Sequence, residues 1–298
     1  MYAIGLCFDE DYLLPGLVTI MSVAHSTSAS DRKSIAIRII THDLTKPHAD
    51  AVAAFSKALG FGSFDVKWRR LDERYEKCRT MELAYITTTT FLRFEFSSDF
   101  VQRPHLVYLD SDLLVLDDIS SPFESVGASQ LGVVRDEFSP TVGESAALPG
   151  FVDQFPSHYG RPYFNAGAIW LSTSLMPTVK NAVVGVLGGS KSRYIYYNEQ
   201  DAMNIWLLER GAVKQLPGHL NRFEIGRFLE YTDWPRGVVP EIDGPRHTSV
   251  LHFMGEFKPW LKRCPTTPGV RLYRLQLGEA RRLLRKLGIQ TICVREES

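Results

Sequence analysis

From its first residues the chain alternates short apolar runs with longer segments whose apolar positions recur at helical spacing. Tyr2–Phe8 is almost wholly apolar and reads as a strand buried on both faces, and Gly16–His25 reads as the helix that follows. Ser34–Ile40 and Phe64–Leu71 repeat the strand pattern. Between them Thr45–Leu59 predicts a helix, with Pro47 in its first turn and Gly60 just past its end. Thr88–Phe96 predicts another helix, His105–Leu109 a buried strand, Leu131–Arg135 and Ala166–Leu171 two more strands, and Glu199–Arg210 a helix closing on Gly211. This rhythm predicts an α/β fold, a mostly parallel sheet with helices on both faces. The segment from Asp136 to Tyr163 is rich in Pro, Gly and Ser, and a connection of that length usually serves as a lid or substrate wall.

Composition adds few constraints. The 298 residues, 44% of them hydrophobic, can bury a substantial core, and neither a linker nor an internal repeat divides them. No apolar run approaches the ~18–20 residues that span a bilayer. The chain enters a strand at once and then Asp9-Glu10-Asp11, so no signal peptide is expected. Cys7, Cys78, Cys264 and Cys293 show no metal or redox spacing. A cytoplasmic protein is the resulting expectation, with no nucleic-acid partner.

The formal net charge of zero conceals an asymmetry. Residues 258–298 hold ten Lys or Arg against three Glu, a net of +7 that leaves −7 for residues 1–257. Tyr273, Leu277, Ala280, Leu284 and Leu287 form an apolar stripe along the same basic stretch. Such a helix either lies on an anionic membrane, here the inner face, or docks on the core with its charged side solvated. The expected division is one domain over residues 1–265 and a basic amphipathic tail over 266–298.

The strongest chemical signal is HLVYLDSDLLVL at 105–116. An apolar strand runs into Asp110 and Asp112 with only Ser111 between them. Buried carboxylates must be paired, hydrogen-bonded or bound to metal, and ligands of open α/β sheets bind beyond the carboxyl ends of strands. A hard divalent cation that also neutralises phosphate oxygens fits two carboxylates; a strand–turn junction capped by Asp110 is the alternative. A second cluster, HFMGEFKPW at 252–260, follows the apolar Ser249-Val250-Leu251. His252 stands at a strand end as Asp110 does, and imidazole is a suitable third ligand for a manganese-type ion. Gly255 would let backbone approach a phosphate, and Lys258, ahead of Pro259-Trp260, would bring a point charge to it.

These segments, with YFNAG at 163–167 and NEQDAMN at 198–204, occur in the order found in retaining glycosyltransferases of family 8, which the chain resembles from about Tyr2 to Trp260. The family includes bacterial lipopolysaccharide galactosyltransferases and glycogenin. The resemblance implies a GT-A fold with a single Rossmann-like mixed sheet, a nucleotide-diphosphate-sugar donor (usually UDP-linked) and a Mn2+ or Mg2+ ion at the pyrophosphate. By the same resemblance, Asp110, Asp112 and His252 are metal ligands and Ser111 lies between them at the donor. Asp9 reads uracil, with Asp11 and Tyr12 at the base and ribose. Thr90 and Arg93 approach the donor, Asn165 and Gly167 wall its sugar, and Gly255 and Lys258 touch the diphosphate. Gln200 matches the position beneath the anomeric carbon, Glu199 a donor-sugar contact, and Asp136 a position facing the acceptor. Two positions depart from the family: Glu199 stands where Asp is common, and Asp11 where some relatives carry Asn.

The implied activity is transfer of a hexose from a UDP-sugar to a hydroxyl acceptor that the sequence does not identify. An amide is a poor nucleophile, so Gln200 favours attack on the face of departure, while Glu199 and Asp201 leave double displacement open. A phosphohydrolase of the haloacid-dehalogenase type would also place Asp9 and Asp11 after a first strand. It would leave HFMGEFKPW without a role, and Leu13 stands where that chemistry expects Thr or Val. Nucleotidyltransferases need a glycine-rich loop after the first strand, which this chain lacks. A sugar-nucleotide-binding protein without transfer activity would use the same residues as the enzyme.

Overall fold

The computed structural model describes residues 1–70, 75, 88–143, 147–224 and 248–289. Its strands are β1 Tyr2–Cys7, β2 Ala36–Thr41, β3 Ser63–Trp68, β4 His105–Leu109, β5 Leu113–Val115, β6 Leu131–Arg135, β7 Phe164–Ser172, β8 Val213–Leu216, β9 Arg222–Phe223 and β10 Val250–His252. The five long helices are α1 Leu13–Ser26, α2 Lys46–Ala58, α3 Met176–Leu187, α4 Asn198–Arg210 and α5 Pro268–Lys286.

Seven strands form the main sheet in the order β3-β2-β1-β4-β7-β6-β8. All run the same way except β7, which is antiparallel to both of its neighbours, so the sheet is mixed but mostly parallel. The period-2 direction of strand side chains divides each central strand between two cores. Ile4 and Leu6 of β1, Ile37 and Ile39 of β2, and Val107 and Leu109 of β4 pack under α1, α2 and α5. Ala3, Ile40, Leu106 and Tyr108 face the opposite way, under α3, α4 and the segment at 91–94. Burial on both faces explains why these strands read as continuous apolar runs.

Local signals fix the helix ends. Thr45 caps α2 with its side chain, Pro47 occupies the first turn, and Gly60 takes a positive φ of 88° beyond the end. Gly211 closes α4 in the left-handed conformation, φ 63°. The expected helix over Thr88–Phe96 is instead a 3-10 helix, Thr88–Phe94. The threonine run at 87–90 accounts for the difference, because β-branched side chains crowd an α-helix and their hydroxyls compete for its backbone bonds.

The apolar stripe of the basic C-terminal segment is covered by the fold. Tyr273, Leu277, Ala280 and Leu284 of α5 are buried in the core shared with α1 and α2, whereas Leu287 is exposed. The docked arrangement is therefore the one observed, and residues 290–298 of that segment lie outside the described residues. No helix among the described residues is long and apolar enough to cross a membrane.

Candidate functional site

From β1 the chain turns to β2 on one side, while β4 pairs on the other, so the strand order reverses between β1 and β4. In an open α/β sheet that reversal leaves a crevice at the carboxyl ends. Asp9 follows β1 and Asp110 follows β4, and a cavity of about 360 Å³ opens between them.

The Asp-x-Asp segment is a turn between β4 and β5, supported from below by α1. The buried Thr19 hydroxyl lies 3.0 Å from the Ser111 carbonyl and 2.9 Å from that of Leu113, and Ser22 Oγ accepts the Val115 N–H at 2.9 Å. A second, three-stranded sheet brings in the distant histidine. β5 pairs antiparallel with β10 in a register that sets His252 opposite Leu113, and the Phe253 N–H donates to the Asp112 carbonyl at 3.1 Å. Ligand atoms of Asp110, Asp112 and His252 thereby lie within 4.8 Å of one another. His252 Nε2 is 3.3 Å from Asp112 Oδ1 and 3.9 Å from Asp110 Oδ2.

Hydrogen bonding assigns the histidine tautomer. The Gly167 backbone N–H donates to Asn165 Oδ1 at 2.8 Å, which makes that oxygen an acceptor. Asn221 must then present its Nδ2 to the same oxygen, also at 2.8 Å, and its own Oδ1 to His252 Nδ1 at 3.0 Å. Nδ1 therefore donates to Asn221, and Nε2 is directed at two carboxylates, where it can take a proton or a metal ion. Two carboxylates and an imidazole nitrogen so arranged fit a divalent metal. Gly167 is required beneath it, because a Cβ there would lie 2.3 Å from His252 Cε1.

Buried cations flank the triad. Lys258 Nζ donates to Asp112 Oδ2 at 2.6 Å and to the Phe253 carbonyl at 2.8 Å. Burial alone would raise the Asp112 carboxyl, but Lys258 and His252 outweigh it and hold it well below the usual carboxylate range. Arg93 Nη2 lies 3.0 Å from Asp110 Oδ1 and 3.3 Å from Glu199 Oε1, while Nη1 donates to the Ala166 carbonyl at 2.6 Å. Burial disfavours the guanidinium charge, yet Asp110, Tyr108 and Glu199 keep it protonated beyond the ordinary arginine range. Glu199 Oε2 accepts the Thr90 hydroxyl at 2.9 Å; its burial outweighs Arg93, so its pKa is raised.

The third group is an amide network. Asn198 takes a left-handed backbone, φ 47°, at the start of α4, and Glu199 and Gln200 enter the cavity wall. Gln200 Oε1 accepts the Ala166 N–H at 2.9 Å and Asn165 Nδ2 at 3.1 Å, and its Nε2 donates to Tyr163 Oη at 3.1 Å. Asp136 closes the network. Its Oδ1 accepts the N–H groups of Phe138 and Ser139, both at 2.8 Å, and its Oδ2 accepts Asn165 Nδ2 at 3.2 Å. Burial raises its pKa. Asp201 faces away from the cavity, where its carboxylate accepts the Tyr163 hydroxyl at 2.5 Å and the N–H groups of Tyr196 and Tyr197 at 2.6 and 2.7 Å. Burial pushes the Asp201 carboxyl up to about 6.

At the β1 end Asp9 Oδ1 accepts the Tyr12 N–H and Oδ2 the Thr89 hydroxyl, each at 3.1 Å, and burial raises this carboxyl as well. Gly255 has a φ of 81°, the left-handed backbone that glycine adopts without strain. Asp9, Tyr12, Thr90, Arg93, Asp110, Ser111, Asp112, Asp136, Asn165, Glu199, Gln200, His252, Gly255 and Lys258 all line the one cavity. Asp11 and Gly167 do not: Asp11 is exposed, and Gly167 is packed under the His252 ring. Thr89, Phe138, Tyr197 and Met254 also line it without having been assigned a role from the sequence, although Met254 lies within HFMGEFKPW and Tyr197 adjoins NEQDAMN. Asn221 carries no motif, and only the tertiary contact reveals it.

The glycosyl transferase family 8 model matches residues 3–264. Glycosyltransferase GlyE of Streptococcus pneumoniae serotype 4 (strain ATCC BAA-334 / TIGR4) is 22% identical over 227 residues, 75% of this chain and 49% of that protein. The probable glycosyl transferase Gly of Streptococcus gordonii is 26% identical over 179 residues, 59% of this chain and 22% of that one. The chain therefore spans about half the length of the first and about a fifth of the second. The galactosyltransferase LgtC, crystallised with donor and acceptor sugar analogues, superposes with a TM-score of 0.68 at 20% identity, over 93% of this chain and 95% of that one. An active-site mutant of LgtC gives a TM-score of 0.70 over the same shares. Strand order, crevice and matched length agree: the sheet is that of a GT-A fold, and the chain belongs to glycosyl transferase family 8.

Proposed function

We propose that the protein is a metal-dependent retaining glycosyltransferase that moves a hexose from a UDP-sugar to a hydroxyl acceptor. The observation that carries this reading is the convergence of Asp110, Asp112 and His252, its ring oriented by Asn221, beside Lys258 in one cavity. Asp110, Asp112 and His252 would hold Mn2+ or Mg2+, which, when bound, neutralises charge on the departing diphosphate. Lys258, itself buried, adds a fixed positive charge for the same leaving group. Asp9 accepts the imino N–H of uracil, a proton cytosine lacks.

The amide network bears on how configuration is retained. Both lone pairs of Gln200 Oε1 are occupied, by the Ala166 N–H and by Asn165, so that oxygen is a positioned dipole and a poor attacking group. Glu199 is held by Arg93 and Thr90, and Asp201 faces away from the cavity. These arrangements support attack from the face of departure, with a donor phosphate oxygen taking the acceptor's proton.

Thermal-shift measurements with UDP, CDP and ADP test the reading, because a ligand stabilises the state it binds. UDP with Mn2+ is expected to protect most, the preference to vanish in Asp9→Ala, and protection to collapse in excess chelator or in Asp112→Asn. Equal protection by all three nucleotides removes the role of Asp9. Full binding in chelator removes the metal. Hydrolysis of the UDP-sugar without acceptor separates an enzyme from a protein that only binds.

A further inference from the structure

The segment that carries Lys258 belongs to neither a helix nor a strand. Between the end of β10 at His252 and the start of α5 at Pro268, its own backbone bonds close only short turns. Lys258 N–H donates to the Glu256 carbonyl, Leu261 N–H to that of Lys258, and Cys264 N–H to that of Leu261, at 3.0, 2.9 and 3.2 Å. Within the loop only the Phe253 carbonyl takes Lys258 Nζ, at 2.8 Å, and the stretch after Lys258 is fixed from outside it.

Two consecutive residues of α5 supply the hold. Tyr273 is fully buried, and its ring centroid lies 5.7 Å from that of Trp260, which meets Tyr12 of the cavity wall edge-on at 5.5 Å. Arg274 grips the backbone. Its Nε donates to the Pro259 carbonyl at 3.0 Å, and Nη2 to those of Leu261 and Cys264 at 3.1 and 2.9 Å. Nη1 donates to Thr266 Oγ1 at 3.2 Å. One rigid guanidinium thus holds the loop at four points, beginning at the residue after Lys258. The foot of the helix is tied to the same neighbourhood. Thr267 Oγ1 donates to Glu224 Oε1 at 2.6 Å, and the Glu224 N–H donates to the His252 carbonyl at 2.7 Å. Arg274 itself does not line the cavity.

We propose that Arg274 is a positioning residue for the donor diphosphate. It acts through the loop at 253–264 to keep Lys258 at the leaving-group end of the cavity, which makes α5 part of the donor site. The inference rests on the reading above of Lys258 as a diphosphate contact. A lysine is a poor substitute, because a single ammonium lacks the planar fork that reaches carbonyls on two sides.

Uridine and UDP share base and ribose and differ only in the diphosphate, so comparing them isolates this half of the site. The test is isothermal titration of the full-length chain with each, in Mn2+, for wild type, Arg274→Ala, Arg274→Lys, Lys258→Ala and the two Ala changes combined. Arg274→Ala is expected to weaken UDP about tenfold, by analogy with the loss of one charge-assisted contact, and to leave uridine within about twofold. Arg274→Lys is expected to recover less than half of that loss on a logarithmic scale. In the Lys258→Ala background the second change should cost little more, since residues acting through one contact are not additive. Equal weakening of uridine and UDP, unchanged UDP affinity, full additivity with Lys258→Ala, or failure of both Arg274 variants to fold would each overturn the proposal. A wild-type chain that binds uridine but not UDP overturns the diphosphate reading of Lys258 itself, and one that binds neither overturns the donor assignment.

Discussion

Glu199 and Asn221 show what single side chains add to a common scaffold. Glu199 has both carboxylate oxygens already bound, one by Arg93 and one by Thr90. Shortening it to Asp withdraws the carboxylate by one methylene, so one of those partners loses its contact. A lost buried polar contact costs about 1–3 kcal/mol, or roughly tenfold or more in discrimination. Glu199→Asp is expected to change the ratio of kcat/KM between two UDP-sugars differing at one hydroxyl by about tenfold, while free UDP binds as before. A fixed ratio would confine Glu199 to its structural contacts with Arg93 and Thr90. Asn221 acts one step further from the chemistry. It links the Gly167 N–H, through Asn165, to the His252 ring, and losing the partner that orients a ligating histidine typically costs ~10–100-fold in metal affinity. Asn221→Ala should therefore weaken Mn2+ binding by that factor in an electron paramagnetic resonance titration, and undiminished affinity would show that the ring needs no orienting partner.

At the scale of elements, the start of α4 is where sequence and structure part company in an instructive way. Asp201 reads in the sequence as a neighbour of the reactive positions, yet helical geometry turns it away from Glu199 and Gln200 into an interior of its own. There its carboxylate gathers the N–H groups of Tyr196 and Tyr197 and ties the approach to α4 to Tyr163. Its pKa, raised by burial to about 6, has a definite consequence for stability. Between the unfolded carboxyl value of ~4 and about 6 the folded chain keeps a proton that the unfolded chain releases. The contribution of this group is complete below the unfolded value and is lost as pH rises through the folded one, on the order of 3 kcal/mol. Urea unfolding should show a larger loss of stability from pH 4 to pH 7.5 in wild type than in Asp201→Asn, and identical pH slopes would refute the shift. What was legible here was periodicity and punctuation. Strands buried on both faces, Pro47, Gly60 and Gly211 announce themselves, and so did the carboxylates of a strand end. What was illegible depends on long-range pairing, such as the register of β5 on β10 that brings His252 to Asp112, and the orientation of Asn221. The 3-10 geometry at 88–94 was hidden for a different reason, because apolar spacing does not distinguish it from an α-helix.

For the molecule as a whole, the basic C-terminal helix decides where the domain ends. Read as a tail, residues 266–298 could be removed without harm; in the structure, Val270, Tyr273, Leu277 and Leu284 lie in the same core as α1 and α2. Burying side chains of this size is worth about 1.5–3 kcal/mol each relative to leaving them exposed. Removing the helix would also leave the apolar face of α1 that they cover open to water. A chain ending at residue 265 is therefore expected to aggregate or to melt well below the full chain, as seen by size-exclusion chromatography and a thermal scan. A soluble, cooperatively folded truncation would show that α5 is dispensable to the core. The charged side of the helix poses a separate question, since docking the apolar stripe leaves Arg282, Arg285 and Lys286 exposed. Replacing those three by Glu keeps the buried face intact and reverses the sign seen by an anionic surface. If the helix also serves as a membrane contact, this variant should melt like wild type yet lose sedimentation with vesicles containing anionic lipid, increasingly so at low salt, where screening is weakest. Equal sedimentation of the two proteins would confine α5 to its place in the core.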